Sequence, residues 1–246
     1  MKNTQVILAN RPVGVPKPAH FAIREVDVPV LAQGQMLIRV SHWSVDPAMR
    51  GWANDVPNYS PPVTLGDPMR SFAVGEVVAS RNPDYAEGDL VVSMAGWREA
   101  WTAAPESVMA NKVPKTGLPD SALLGVAGMP GLTAYAGILR VAELKEGDTF
   151  FVSGAAGAVG STVVQIAKIK GCTVIGSAGG AEKCKLVKEL GADHVIDYKQ
   201  HDTYDSLLGA LRAAAPKGID VYFDNVGGDH LQAAIECARP MGRFAI

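Results

Sequence analysis

Thr149-Phe150-Phe151-Val152-Ser153-Gly154-Ala155-Ala156-Gly157-Ala158-Val159-Gly160-Ser161 is an apolar run that breaks into glycines and then resumes with helical periodicity. It reads as strand, tight turn and helix. The first amides of a helix begun this way have no intrahelical acceptor, and the missing side chains at Gly157 and Gly160 let a diphosphate approach the backbone. Gly157, Ala158, Val159 and Gly160 are therefore expected to cradle a nucleotide. The pattern departs from the common dinucleotide fingerprint, because Ala155 stands in the place of its first glycine. A glycine turn that merely packs a helix on a strand gives the same letters, so the surrounding alternation of elements has to support the nucleotide reading.

Working outward, strand-like runs at 149–153, 173–177, 194–197 and 219–224 are separated by helical stretches at 159–170, 182–190, 204–214 and 231–238. Such alternation predicts a parallel, doubly wound sheet with right-handed crossovers. In the first of these helices Val159, Val163, Ile166 and Lys170 form a stripe, with Ala167 and Ile169 widening the apolar surface toward the sheet. Residues 240–246 open a fifth strand, after which such a domain normally continues, so the chain is expected to be a fragment incomplete at its C-terminal end.

Upstream of about Ala110 the grammar differs. Short runs at 36–40, 72–78 and 89–92 are separated by glycine turns, as in a β domain. The fold class expected is α/β, with a β-rich domain over 1–122 and a doubly wound domain over 123–246.

A chain of 246 residues that is 48% hydrophobic can bury two cores, and a formal charge of −2 gives no general attraction to nucleic acid or anionic membrane. No run approaches the roughly 20 apolar residues needed to span a bilayer, and the first residues lead straight into a strand, so a cytoplasmic address is expected. Cys172, Cys184 and Cys237 are odd in number and lie in segments that read as buried strand or helix, which makes them reduced packing residues. No cysteine precedes Cys172, and His20 and His42 have no nearby Cys or His partner, so hydride chemistry here would run without metal. A Gly-x-Ser-x-Gly elbow and a basic patch with interleaved aromatics are both missing, which sets aside hydrolase and nucleic-acid readings.

An NAD site usually ends its second strand with an acid roughly 20 residues past the glycines. Ser177-Ala178-Gly179-Gly180 occupies that place. With no carboxylate to repel a 2′-phosphate, and Lys183 in the first turn of the next helix to pair with it, NADP is expected rather than NAD. A solvated surface lysine is the plain alternative for Lys183.

Four segments, Val45-Asp46-Pro47-Ala48-Met49-Arg50-Gly51, Gly128-Met129-Pro130-Gly131-Leu132-Thr133-Ala134-Tyr135, Ala155 to Ser161, and Phe223-Asp224-Asn225-Val226-Gly227-Gly228, together resemble one family. It is that of the zinc-free medium-chain dehydrogenases/reductases, in particular the NADP-dependent 2-alkenal, prostaglandin and curcumin reductases, and the resemblance spans nearly the whole chain. It implies a GroES-like β-barrel domain joined to a Rossmann domain, NADP between them, and a homodimer formed by pairing of Rossmann sheets. Position by position it implies the diphosphate at Gly157 to Gly160, the 2′-phosphate at Lys183, the adenosine end at Tyr198, the nicotinamide beside Met129 and Thr133, and Asn225 near the middle of the cofactor. Tyr198 has a plain alternative as a half-buried aromatic at a sheet edge, although its place after Ile196-Asp197 fits the family.

The implied activity is hydride transfer from NADPH to the β-carbon of an α,β-unsaturated ketone or aldehyde, with a donor for the developing enolate oxygen. Tyr59 resembles a substrate-cleft tyrosine of the relatives suited to that task, and it reads equally as a loop aromatic packing on Pro61 and Pro62. A second cleft tyrosine and a late cofactor-binding segment of the relatives fall beyond Ile246. Two alternatives stand beside this reading: an NADPH quinone reductase, which shares the Ala-Ala-Gly turn, and a non-catalytic nucleotide-binding fragment.

Overall fold

Period-2 alternation builds the first half of the chain. The computed structural model describes residues 2–56 and 60–246, which divide into two units, Met1–Leu124 and Gly125–Ile246. In the first unit β1 (Lys2–Leu8) pairs antiparallel with β2 (Phe21–Asp27). A five-stranded antiparallel sheet follows, from β3 (Met36–Trp43), β4 (Ala73–Ser80), β5 (Leu90–Ser93), β6 (Ala100–Ala103) and β7 (Asn111–Lys112), in the order β6-β3-β4-β5-β7. Met36 and Ile38, two apart on β3, turn to the same side and pack with Val77 and Val91.

A short helix, α1 (Ala48–Trp52), lies between β3 and β4 and buries Met49 and Trp52 against Leu8, Val63 and Met69. Arginines clasp it. Arg50 donates through Nε to the Gly14 carbonyl at 3.0 Å, through Nη2 to the Pro12 carbonyl at 3.1 Å, and also to Asn54. Arg11 donates to the carbonyls of Ala53 at 3.2 Å and Val63 at 2.6 Å. These charge-assisted bonds fix the backbone on both sides of residues 57–59.

The second unit opens with α2 (Met129–Ala136), which runs on through a π-helical turn at Gly137–Val141. Then β8 (Thr149–Val152), α3 (Ala158–Ile169), β9 (Thr173–Ala178), α4 (Ala181–Glu189), β10 (His194–Asp197), α5 (Tyr204–Ala214), β11 (Ile219–Phe223), α6 (Gly228–Cys237) and β12 (Ala238–Ala245) alternate. All neighbours in the sheet β10-β9-β8-β11-β12 are parallel. Phe150 and Phe151, adjacent on β8, face opposite sides. Phe150 joins Val163, Val164 and Ala167 of α3, and Phe151 joins Leu207, Leu208, Leu211 and Ala234 of α5 and α6. Each such ring contributes on the order of 1.5–3 kcal/mol by leaving water.

Two local expectations need correction. The buried face of α3 is Gly160, Thr162, Val163, Val164 and Ala167, while Ile169 is 83% exposed and Lys170 is in solvent. Two residues past Ala167 is about 200° around a helix, so Ile169 cannot share its face. The last helix starts at Gly228, not at 231, and ends at Cys237, because Asp224 accepts from the amides of Val226 and Gly227 and turns the chain into the helix early. Ala238 then already belongs to β12.

The thiols of Cys172 and Cys237 are buried and that of Cys184, on α4, is half-buried; all three are free. Burial pushes the Cys172 thiol up to about 11, which leaves it unreactive. Among the described residues no helix is long and apolar enough to cross a membrane.

Candidate functional site

Parallel strands bring all their C-terminal ends to one edge. The chain leaves β8 toward β9 and β10, then returns to lay β11 on the other side of β8, so the β8–β11 pair is the topological switch point where ligands of such sheets bind. That edge carries the glycine turn after β8, Gly179 to Lys183 after β9, Tyr198 after β10 and Asn225 after β11.

At the glycine turn the Ala155 amide donates to the Ser177 carbonyl at 2.8 Å and the Gly157 amide to the Gly154 carbonyl at 2.9 Å. A Cβ at Gly160 would collide with the Gly154 carbonyl oxygen and lie 2.8 Å from Ala155 Cα, so α3 seats directly on the turn there. At Gly157 the nearest atom to such a Cβ is the same oxygen at 3.2 Å, and the outer side is open. Among the described residues no acceptor takes the amides of Ala158, Val159 and Gly160. They end a helix dipole equivalent to roughly half a positive charge.

Ala155, in place of the first glycine, is fully buried. Its methyl group is accommodated by Gly176 on β9, where a Cβ would lie 3.0 Å from that of Ala155 and 2.7 Å from Val187. Gly176 was missed in the sequence, although a glycine inside a strand signals close approach.

The helices that begin beside this turn share a feature. α3, α4 and α6 have the N-cap residues Gly157, Gly180 and Gly227, none with a side-chain cap, whereas α5 is capped by the Thr203 hydroxyl. A capping Ser or Asp would occupy the amides that an anion needs.

After β9, Gly180 donates its amide to Asp197 Oδ1 at 2.8 Å, and Asp197 also accepts from Lys199 at 3.1 Å. The Gly180 bond foremost holds the Asp197 carboxyl below the usual range. Tyr198 is 38% exposed and its hydroxyl lies over Gly179, 2.5 Å from where a Cβ would stand. Lys183, the third residue of α4, is exposed and has no ion-pair partner among the described residues. Under this end His230 is buried, with Nε2 2.8 Å from the Ser177 hydroxyl. Burial pushes its imidazole below the ordinary 6.5, against the pull of Asp224 and Asp229.

After β11, Asp224 Oδ1 accepts from Ser153 Oγ at 3.1 Å, Tyr222 Oη at 2.8 Å and the two amides that turn the chain into α6. Burial alone would raise the Asp224 carboxyl, but the Gly227 and Val226 amides and the two hydroxyls hold it below the usual range. Asn225 is fastened to the same place, its amide to Ser153 Oγ and its Nδ2 to the Ser153 carbonyl, both at 2.9 Å. Its Oδ1 has no donor among the described residues and remains open as an acceptor.

Met129 and Thr133 lie four apart on one exposed face of α2. A Cβ at Gly137 would lie 2.6 Å from the Phe223 ring, which ties the end of this helix to the end of β11. The structure thus gathers Gly157 to Gly160, Lys183, Tyr198 and Asn225 at one sheet edge. Tyr59 lies outside the described residues.

A family described as "N-terminal domain of oxidoreductase" matches residues 4–111, and one described as "zinc-binding dehydrogenase" matches residues 158–246. The chain is 42% identical over 246 residues to an NADPH-dependent curcumin reductase of Escherichia coli, covering 100% of this chain and 70% of that protein. It is 41% identical over 236 residues to prostaglandin reductase 1 of Sus scrofa, 95% of this chain and 68% of that protein. Among solved structures it resembles CurA from Vibrio vulnificus in complex with NADPH, with a TM-score of 0.89 and 41% identity over 98% of this chain and 70% of that one.

Zinc stands in the second family's description, but the residues here do not suit it. Among the described residues no group of three or more His, Cys, Asp or Glu is placed to hold a metal ion. His20 Nδ1 accepts instead from the Lys17 amide at 2.7 Å, and His42 Nδ1 pairs with Ser41 Oγ at 3.1 Å.

Proposed function

The chain belongs to the zinc-free medium-chain dehydrogenases/reductases, alongside the curcumin, prostaglandin and 2-alkenal reductases, and from that membership we propose that it reduces the carbon–carbon double bond of α,β-unsaturated ketones and aldehydes. It is an NADP-dependent oxidoreductase acting on small molecules. The observation that most supports a phosphorylated cofactor on this chain's own residues is the set of uncapped α3 amides, followed by a second strand that ends without an acid and leads to Lys183, which has no ion-pair partner among the described residues.

NADPH, when bound, supplies the hydride. The amides of Ala158, Val159 and Gly160 would donate to its diphosphate, and Gly157 leaves room for that approach. Lys183 Nζ would pair with the 2′-phosphate, and the Tyr198 ring would bear on the adenosine end. Asn225, held by its Nδ2, would offer Oδ1 to a hydroxyl near the middle of the cofactor. Met129 and Thr133 would flank the nicotinamide, the thioether excluding water and the threonine hydroxyl offering a hydrogen bond.

Hydride arrival at the β-carbon leaves negative charge on the substrate carbonyl oxygen, which needs a donor. Tyr59 is the proposed donor, since a phenol hydroxyl can give a hydrogen bond to that oxygen. In an assay with NADPH deuterated at the transferring position, a simple enone should yield the saturated ketone with deuterium at the β-carbon. Allylic alcohol carrying deuterium at the carbinol carbon, or turnover of quinones alone, would refute the assignment.

A further inference from the structure

His230 sits buried under the adenosine end of the site, and none of the roles above uses it. Its Nε2 is 2.8 Å from the hydroxyl of Ser177, itself fully buried at the end of β9. Its ring meets the Tyr198 ring in a T-shaped contact, with centroids 5.4 Å apart and planes at 84°. The hydroxyl end of Tyr198 lies over the bare backbone of Gly179. The phenol is therefore braced by two contacts, one at its ring and one at its hydroxyl end, while 38% of the residue stays open to solvent.

A side chain braced before a ligand arrives has little rotamer freedom left to lose, and affinity gains by that amount. An aliphatic residue could fill the same volume without the desolvation cost of an imidazole. What the imidazole adds is a ring whose plane is set by a buried hydrogen bond. We infer that His230 is a positioning residue for the adenosine half of NADPH: Ser177 fixes the imidazole, the imidazole fixes the Tyr198 ring, and Tyr198 with Lys183 receives the phosphorylated ribose. This rests on the proposed placement of Tyr198 and Lys183.

The probe is 2′,5′-ADP, which carries the adenosine half alone, titrated calorimetrically into the protein and its variants. His230→Asn keeps a polar partner for Ser177 and removes the ring; His230→Phe keeps the ring and removes the hydrogen-bonding atom. The dissociation constant should rise about five- to tenfold in His230→Asn and less than about threefold in His230→Phe, in line with the worth of one aromatic pair. His230→Gln, which also lacks a ring, replaces the asparagine variant if that one does not fold.

Wild-type affinity in His230→Asn, while Lys183→Ala is weakened, overturns the role of His230 and leaves the site standing. A loss in His230→Phe larger than that in His230→Asn also overturns it, because a ring at this position would then contribute nothing to the site. Unchanged affinity in all three variants, Lys183→Ala included, would mean that the adenosine half binds elsewhere, and the placement of Tyr198 and Lys183 falls together with the inference.

Discussion

Lys183→Ala should weaken NADPH binding by about 1.5–3 kcal/mol, roughly 10- to 150-fold, and leave NADH binding nearly unchanged. The size follows from removing one charge-assisted bond to a dianionic phosphate. The selectivity follows from the end of β9, where Ser177, Ala178, Gly179 and Gly180 offer no carboxylate to a ribose hydroxyl. Because Lys183 is exposed, the difference between the two cofactors should shrink as salt rises. Calorimetric titrations of both cofactors at two ionic strengths measure this, and an equal loss for NADPH and NADH would remove Lys183 from the phosphate site.

Gly157→Ala and Gly160→Ala should fail in different ways. At Gly160 the added methyl group meets the Gly154 carbonyl and Ala155 Cα, backbone atoms that cannot step aside, so the variant should lose about 1–3 kcal/mol of stability from overpacking. At Gly157 the backbone is extended, with φ −75° and ψ 172°, and the added methyl group meets the Gly154 carbonyl oxygen at 3.2 Å, a tight contact that a shift of a few tenths of an ångström relieves, so stability should fall less than at Gly160. The methyl group there stands instead where the diphosphate must come in. Each amide–phosphate bond it prevents should cost about 1.5–3 kcal/mol of NADPH affinity. Urea denaturation and cofactor titration on both variants separate the two effects. A Gly157→Ala protein that binds NADPH like the wild type would show that the diphosphate lies elsewhere.

The second unit could be read from its sequence because two periodicities take turns in it, and the glycine turn marks where one gives way to the other. β8, β9, β10 and β11 fall close to the expected runs, since β-branched and aromatic residues there are buried on both faces of a parallel sheet. The helix α2 was not foreseen, for a physical reason: Met129, Leu132 and Tyr135 are all more than half exposed while Gly131 and Ala134 are buried, so apolar letters fall on both sides and show no helical contrast.

The site was legible only in its local parts. Glycine N-caps and the missing acid can be seen within a few residues of one another. The bonds that shape the adenosine end join distant positions, Gly180 to Asp197 across 17 residues and Ser177 to His230 across 53, and only the order of the strands brings them together. The same holds for Ala155 and Gly176, where a glycine expected in the turn is found on the neighbouring strand.

The central claim is that the amides of Ala158, Val159 and Gly160 hold the cofactor's diphosphate. Titrating NADPH into nitrogen-15-labelled protein and following these amide resonances tests it most directly. Downfield proton shifts at these positions that saturate with the calorimetric binding curve are predicted; saturation of binding with the three resonances unmoved would contradict the account.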